Sequence, residues 1–320
     1  EYRYRFWWAF LVFLPVIWMV GTRGNIGDTE SYAMTFRKMP QAISGLAHYM
    51  STVKKDRGFY LLSAIIKLII GNNTVRYFLL LALGQGLCLV YVFRKYSINY
   101  AISIFLFMAS SDYISWMYNG IRQFTAVILS FIGIEFLLND KIIKFIILIL
   151  IASTMHQSVL ILIPFAIIAK GRAWNKKTIL FILIAIAAVM FIGKFTNFLD
   201  TVLSDTQYKN VVSDWKQFED DGTNPIRVLV YAVPTILSYI GRKIIWIEDN
   251  KLVNLCVNMS IISTGLYVVS MFTSGIFIGR LPIYFSLYNY ILLPWEIENL
   301  FTERSKKLVC IGLIGFYLLF

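Results

Sequence analysis

Two histidines and three cysteines are all that 320 residues provide, and the shortage excludes whole classes of chemistry. Cys88, Cys256 and Cys310 each sit inside an apolar run with no CxxC spacing, so neither a disulfide framework nor a Cys/His zinc site is expected, and no metal or other cofactor is called for. Charge is scarce too, at 15%, which leaves no material for a sizeable soluble domain. Internal repeats and low-complexity tracts are missing, and Gly84-Gln85-Gly86 lacks the preceding strand and third glycine of a nucleotide-binding fingerprint. An ATP-driven machine is therefore not expected.

What the chain has is apolar sequence, 58% of it, recurring in runs from Phe6 to Phe320. Runs of that length and frequency describe an all-α, polytopic transmembrane bundle, read as one integral membrane domain over residues 1–320. The first run, Phe6 to Val20, is followed by Gly21-Thr22-Arg23-Gly24-Asn25, which offers no small-residue cleavage pattern, so it reads as a retained helix. Further spans are expected at Val75–Phe93, Ile98–Ser110, Gly120–Leu138, Ile142–Ala169, Thr178–Phe198, Ile226–Trp246, Leu252–Thr273, Leu281–Trp295 and from Leu308 onward. The polar stretch 23–58 reads as an outer loop. The run 59–70 is about 18 Å long as a helix, too short for a hydrocarbon core of about 30 Å, and reads as interfacial or re-entrant.

The net charge of +12 falls mostly in short loops, where the positive-inside rule accounts for it without nucleic acid. Lys170, Arg172, Lys176 and Lys177 cluster without an acid, which puts them on the cytoplasmic side. The acidic loop 199–225, with Asp200, Asp205, Asp214, Glu219, Asp220 and Asp221 against Lys209 and Lys216, goes outside. Between them, Ile142–Ala169 would be about 42 Å as one straight helix, longer than a bilayer core requires. Its centre is polar: Ser153, Thr154, His156, Gln157 and Ser158. It is either one long tilted helix or two legs broken around His156, and the two-leg reading distributes the basic loops better. On that reading Asp28, Asp56-Arg57, Arg122, His156 and Arg280 collect on the outer side.

These residues are candidates for chemistry because ionisable side chains at membrane depth are costly and mark functional sites. Asn119, Arg122, Gln123, Ala126, Ser130 and Gly133 recur at helical spacing, giving a helix face that is polar at its outer end and small along its length. Arg122 could serve as a snorkelling anchor, but its fork geometry, beside Asn119 and Gln123, also suits a phosphate. His156 could bridge two helices by hydrogen bonds, bind a phosphate or hydroxyl, or act as a general base. Asp28 follows Gly24 and Gly27 and lies one turn before Tyr32. Asp56 stands at the start of the short apolar run, where a carboxylate suits a helix N-terminus. Gly279-Arg280 opens a late helix with Tyr284. Of the aromatics, Trp116, Tyr118, Tyr208 and Trp215 are the candidates for glycan contact.

Taken in order, Gly27-Asp28 with Tyr32, Asp56-Arg57-Gly58-Phe59-Tyr60, Asn119-Gly120-Ile121-Arg122-Gln123, His156-Gln157-Ser158 and Gly279-Arg280 with Tyr284 resemble the EpsG family of bacterial exopolysaccharide biosynthesis proteins, itself similar to Wzy-type polysaccharide polymerases. Asp56 departs from the pattern, which more often has glutamate there. The resemblance implies a metal-independent glycosyltransferase of the integral-membrane C-type architecture in the bacterial cytoplasmic membrane. Its implied substrates are oligosaccharides on undecaprenyl diphosphate, met among membrane lipids, with a flippase and a chain-length regulator as pathway partners. Arg57, Arg122 and Arg280 would then stabilise the departing diphosphate, with Gln123, Tyr32, Asn119 and Tyr284 as further substrate contacts. Asp28, Asp56 and His156 are the candidate bases, Asp28 narrowly ahead of Asp56. A transporter for the same lipid-linked substrate, or a noncatalytic scaffold, are the competing readings.

Overall fold

The computed structural model describes residues 5–202 and 222–319, and among them it contains helices and no strand. They form two compact units: one up to Leu160 that also takes in the chain from Lys307, and one from Ile161 to Lys306.

In the first unit, α1 (Phe6–Gly21) lies along α5 (Thr74–Tyr96), after α2 (Thr29–Lys38), α3 (Leu46–Thr52) and α4 (Arg57–Ile70). Small residues set the α1–α5 approach: a Cβ on Gly86 would stand 2.6 Å from Ile17 Cδ1 and one on Gly21 2.4 Å from Leu79 Cδ2. The opposite face of α1 exposes Trp7, Trp8, Leu11 and Trp18, as a lipid-facing helix does. α4 has 14 residues, about 21 Å, and does not reach across a bilayer. Its Lys67, 1% exposed, donates from Nζ to the carbonyls of Phe36 (2.8 Å) and Arg37 (2.6 Å), capping the C-terminus of α2 with a cation where the helix dipole favours one. The unit continues through α6 (Tyr100–Ala109), α7 (Ser111–Tyr118), α8 (Ile121–Ile132), α9 (Ile134–Leu138) and α10 (Ile142–Ser153).

The run expected to be either one helix or two legs is broken. α10 stops at Ser153, a 3-10 turn runs over Gln157–Ile161, and α11 (Leu162–Ala169) follows. Ser153 and Thr154 hydroxyls donate back to the carbonyls of Leu150 (2.8 Å) and Ile151 (2.7 Å), so side chains compete with the helix ladder where it ends.

The second unit contains α11, then α12 (Lys176–Met190), α13 (Ile192–Val202), α14 (Pro225–Ile240), α15 (Arg242–Glu248), α16 (Lys251–Met271), α17 (Ile283–Ser286) and α18 (Asn289–Leu300). The chain ends in α19 (Glu303–Leu319). Two spans expected to be continuous are bent: α12 to α13 by 106° and α14 to α15 by 67°. The first bend lets Phe195 and Leu199 of α13 fold onto Ala185, Ala188, Val269 and Ile278; the second occurs at Gly241, where Leu300 fills the space a side chain would need. Helix starts in both units follow their asparagines: Asn73, Asn99, Asn175, Asn224 and Asn250 each accept from a first-turn amide. By length and composition three helices can cross a membrane, or up to five if each bent pair counts as one span. This is an all-α polytopic bundle. Of the acidic loop, Asp205 to Asp221 lie outside the described residues, as do Tyr208 and Trp215.

Candidate active site

The break after α10 comes to rest against the start of α4. Gly58 donates its amide to the Thr154 carbonyl at 2.9 Å, which gives one of the unpaired first-turn amides of α4 a partner outside the helix. A Cβ on Gly58 would lie 2.0 Å from Thr154 Oγ1, so only glycine permits this approach. Asp56, in the left-handed conformation (φ 52°), precedes the helix, a conformation aspartate tolerates better than most residues.

The Asp56 side chain is 4% exposed and serves two groups. Oδ2 accepts from Arg122 Nη1 at 2.7 Å, and Oδ1 stands 3.4 Å from His156 Nδ1. The second separation is not a formed hydrogen bond, and both atoms are buried without one. Nδ1 is buried, while 18% of the His156 side chain as a whole remains exposed. Arg122 keeps 34% exposure and lies near the Tyr60 ring with its hydroxyl 3.5 Å from Nη1. Burial pushes the Tyr32 phenol above its ordinary value, with the Arg122 charge pulling the other way. Beneath these polar groups, Tyr32, Phe36, Phe59, Tyr77 and Ile121 form a buried apolar cluster, with Tyr60 and Met155 packed against it. The chain neighbours of Arg122 and His156 thus fix both side chains to one core.

Asp28 sits elsewhere in this unit's network. Its Oδ2 accepts from the Gly120 amide at 3.2 Å, and its own amide donates to Asn119 Oδ1 at 3.0 Å. Gly27 (φ 55°) and Gly120 (φ 63°) are both left-handed, and a Cβ on Gly27 would overlap Asn119 Oδ1 at 1.5 Å. This reciprocal pair docks the loop after α1 onto the start of α8. Arg57 is exposed and reaches the Met50 carbonyl at 3.4 Å, while Gln123 is buried, 4% exposed. Arg280, exposed, and Tyr284, buried, belong to the second unit.

Three participants were not singled out from sequence. Tyr60 was legible only as part of its motif. Thr154 looked like one more polar residue in the run. Arg23, held by the Val20 carbonyl at 2.6 Å and lying over the rings of Phe78 and Tyr118, carried no signal beyond its place after a span; burial lowers its pKa to about 10. Tyr118 is engaged there as well, its hydroxyl donating to the Met19 carbonyl at 3.2 Å.

Comparison with curated proteins and comparison with solved structures each return no match. A family model does match, from residue 6 to residue 320, and so covers both units and every residue of this site. The chain belongs to the EpsG family.

Proposed function

We propose that this protein is a polysaccharide polymerase or single-transfer glycosyltransferase of exopolysaccharide biosynthesis, acting at the outer face of the bacterial cytoplasmic membrane on undecaprenyl-diphosphate-linked glycans. The observation that carries the reading is the buried Asp56 carboxylate, shared between Arg122 and His156. A carboxylate facing Nδ1 orients an imidazole so that Nε2 is left to take a proton, as the acid–base pairs of hydrolases do. In the proposed step, an acceptor sugar hydroxyl attacks the anomeric carbon of the donor glycan and gives its proton to His156 Nε2. The bond from that carbon to the diphosphate oxygen breaks, and the lipid diphosphate leaves with the electron pair.

The leaving group needs cations, and Arg122 is positioned by Asp56 while keeping a third of its side chain open. Arg57 is proposed as a further diphosphate contact, with Gln123 contributing to glycan binding. The geometry favours Asp56 with His156 over Asp28 as the acid–base group, because Asp28 is committed to a backbone amide.

The test is incubation of purified protein, without nucleotide, with undecaprenyl-diphosphate-linked repeat units in detergent, following glycan length by gel and mass spectrometry. Lengthened products that disappear in Arg122→Ala and His156→Ala are expected. Lipid binding without turnover would overturn the enzymatic reading and leave transport or scaffolding.

A further inference from the structure

A further ionisable group lies in the second unit, directly after the apolar run Leu281–Trp295. Glu296 is 0% exposed, sits within α18, and neither of its carboxyl oxygens has a hydrogen-bond partner among the described residues. α18 packs on α16, α14 and α17. From α16 the titratable group facing Glu296 is Cys256, itself fully buried; among the described residues neither α14 nor α17 brings a charged group to it. Two turns away on the same pair of helices, Ser263 Oγ and Asn289 Oδ1 are likewise buried and unpartnered, and Asn289 Nδ2 reaches the Tyr231 carbonyl at 3.4 Å. An ionised carboxylate cannot persist in such a place, since neither cation nor donor offsets the loss of water.

We propose that Glu296 is a proton-binding site: its carboxyl is carried as the neutral acid while α16 and α18 are packed together, and it ionises only when they part. The proposal is independent of the glycosyl-transfer reading, because it concerns one helix interface of the second unit. Its consequence is a pH-sensitive contact between α16 and α18. Raising the pH pulls the proton off, and the resulting charge is stable only where water reaches it.

Two measurements on the full-length protein in nanodiscs test it. Infrared spectra at neutral pH should show a protonated-acid carbonyl stretch that is lost in Glu296→Gln and in Glu296→Met, the second variant guarding against misfolding of the first. Thiol labelling should show Cys256 reactivity climbing several-fold more steeply from neutral to alkaline pH in the wild type than in Glu296→Gln, with half-buried Cys88 and Cys310 as comparison thiols on other helices. A wild-type spectrum lacking the variant-sensitive band, or identical Cys256 profiles in wild type and variant, would overturn the proposal.

Discussion

Asp56 Oδ1 and His156 Nδ1 stand 3.4 Å apart, each buried and each without a hydrogen bond. A gap of this kind is common before substrate arrives, because catalytic hydrogen bonds tighten in the reacting complex. If the imidazole takes up the acceptor's proton, removing it costs the general-base contribution, roughly 10²–10⁴-fold in rate. His156→Gln should therefore lower glycan transfer by that order while leaving lipid-linked substrate binding within a few-fold. Asp56→Asn should lower transfer similarly and also loosen Arg122, at a stability cost of about 1–3 kcal/mol, kept modest because Arg122 is a third exposed. Unchanged turnover in both variants, measured on folded protein, would remove the pair from the mechanism.

Asp28 supplies the contrast. An asparagine at this position still offers an oxygen to the Gly120 amide, so Asp28→Asn should retain most activity and shift the thermal midpoint little. Asp28→Ala loses the acceptor and leaves a helix-entry amide without its partner, at about 1 kcal/mol. If Asp28→Asn abolishes turnover as fully as Asp56→Asn, then Asp28 carries the chemistry and docking is secondary.

The site was partly legible in the sequence, and the reasons differ residue by residue. Arg122 and His156 stand out because cost alone makes a charged or imidazole group conspicuous among aliphatics, and the broken helix around His156 follows from five polar residues in an overlong run. That Asp56, rather than Asp28, meets both depends on the left-handed turn at Asp56 and on the glycine contact between Gly58 and Thr154, which no periodicity encodes. Lys67 was hidden inside a run read as apolar, since a buried lysine becomes intelligible only when the carbonyls of Phe36 and Arg37 are seen to receive it. The bends at Phe191 and Gly241 were missed because hydropathy reports how much apolar chain there is and not its direction.

Tyr32 links the site to alkaline stability. Its phenol ordinarily ionises near 10 and is raised by burial, so between the unfolded and folded values the native state holds a proton that the unfolded state has lost. The stabilisation is thus complete below about 10 and is lost as pH rises through the folded value. Tyr32→Phe should flatten the fall in thermal midpoint above pH 10. An unaltered alkaline slope in the variant would show that other phenols dominate it.

Gly58 offers the sharpest separation between position and chemistry, since it carries no reactive atom. In Gly58→Ala the new methyl would meet Thr154 Oγ1 at 2.0 Å and Thr154 Cβ at 2.7 Å, so α4 and the break after α10 must move apart. Overpacking of this kind costs about 1–3 kcal/mol, and the motion acts directly on the Asp56–His156 separation, because one residue lies immediately after Thr154-Met155 and the other two places before Gly58. A displacement of about 1 Å at a reacting group is worth around 10²-fold in rate. Gly58→Ala should therefore reduce turnover far more than its stability loss alone implies. Adding Thr154→Gly, which removes both offending atoms, should recover part of the rate. Recovery of stability without any recovery of turnover would place the reacting groups away from this contact.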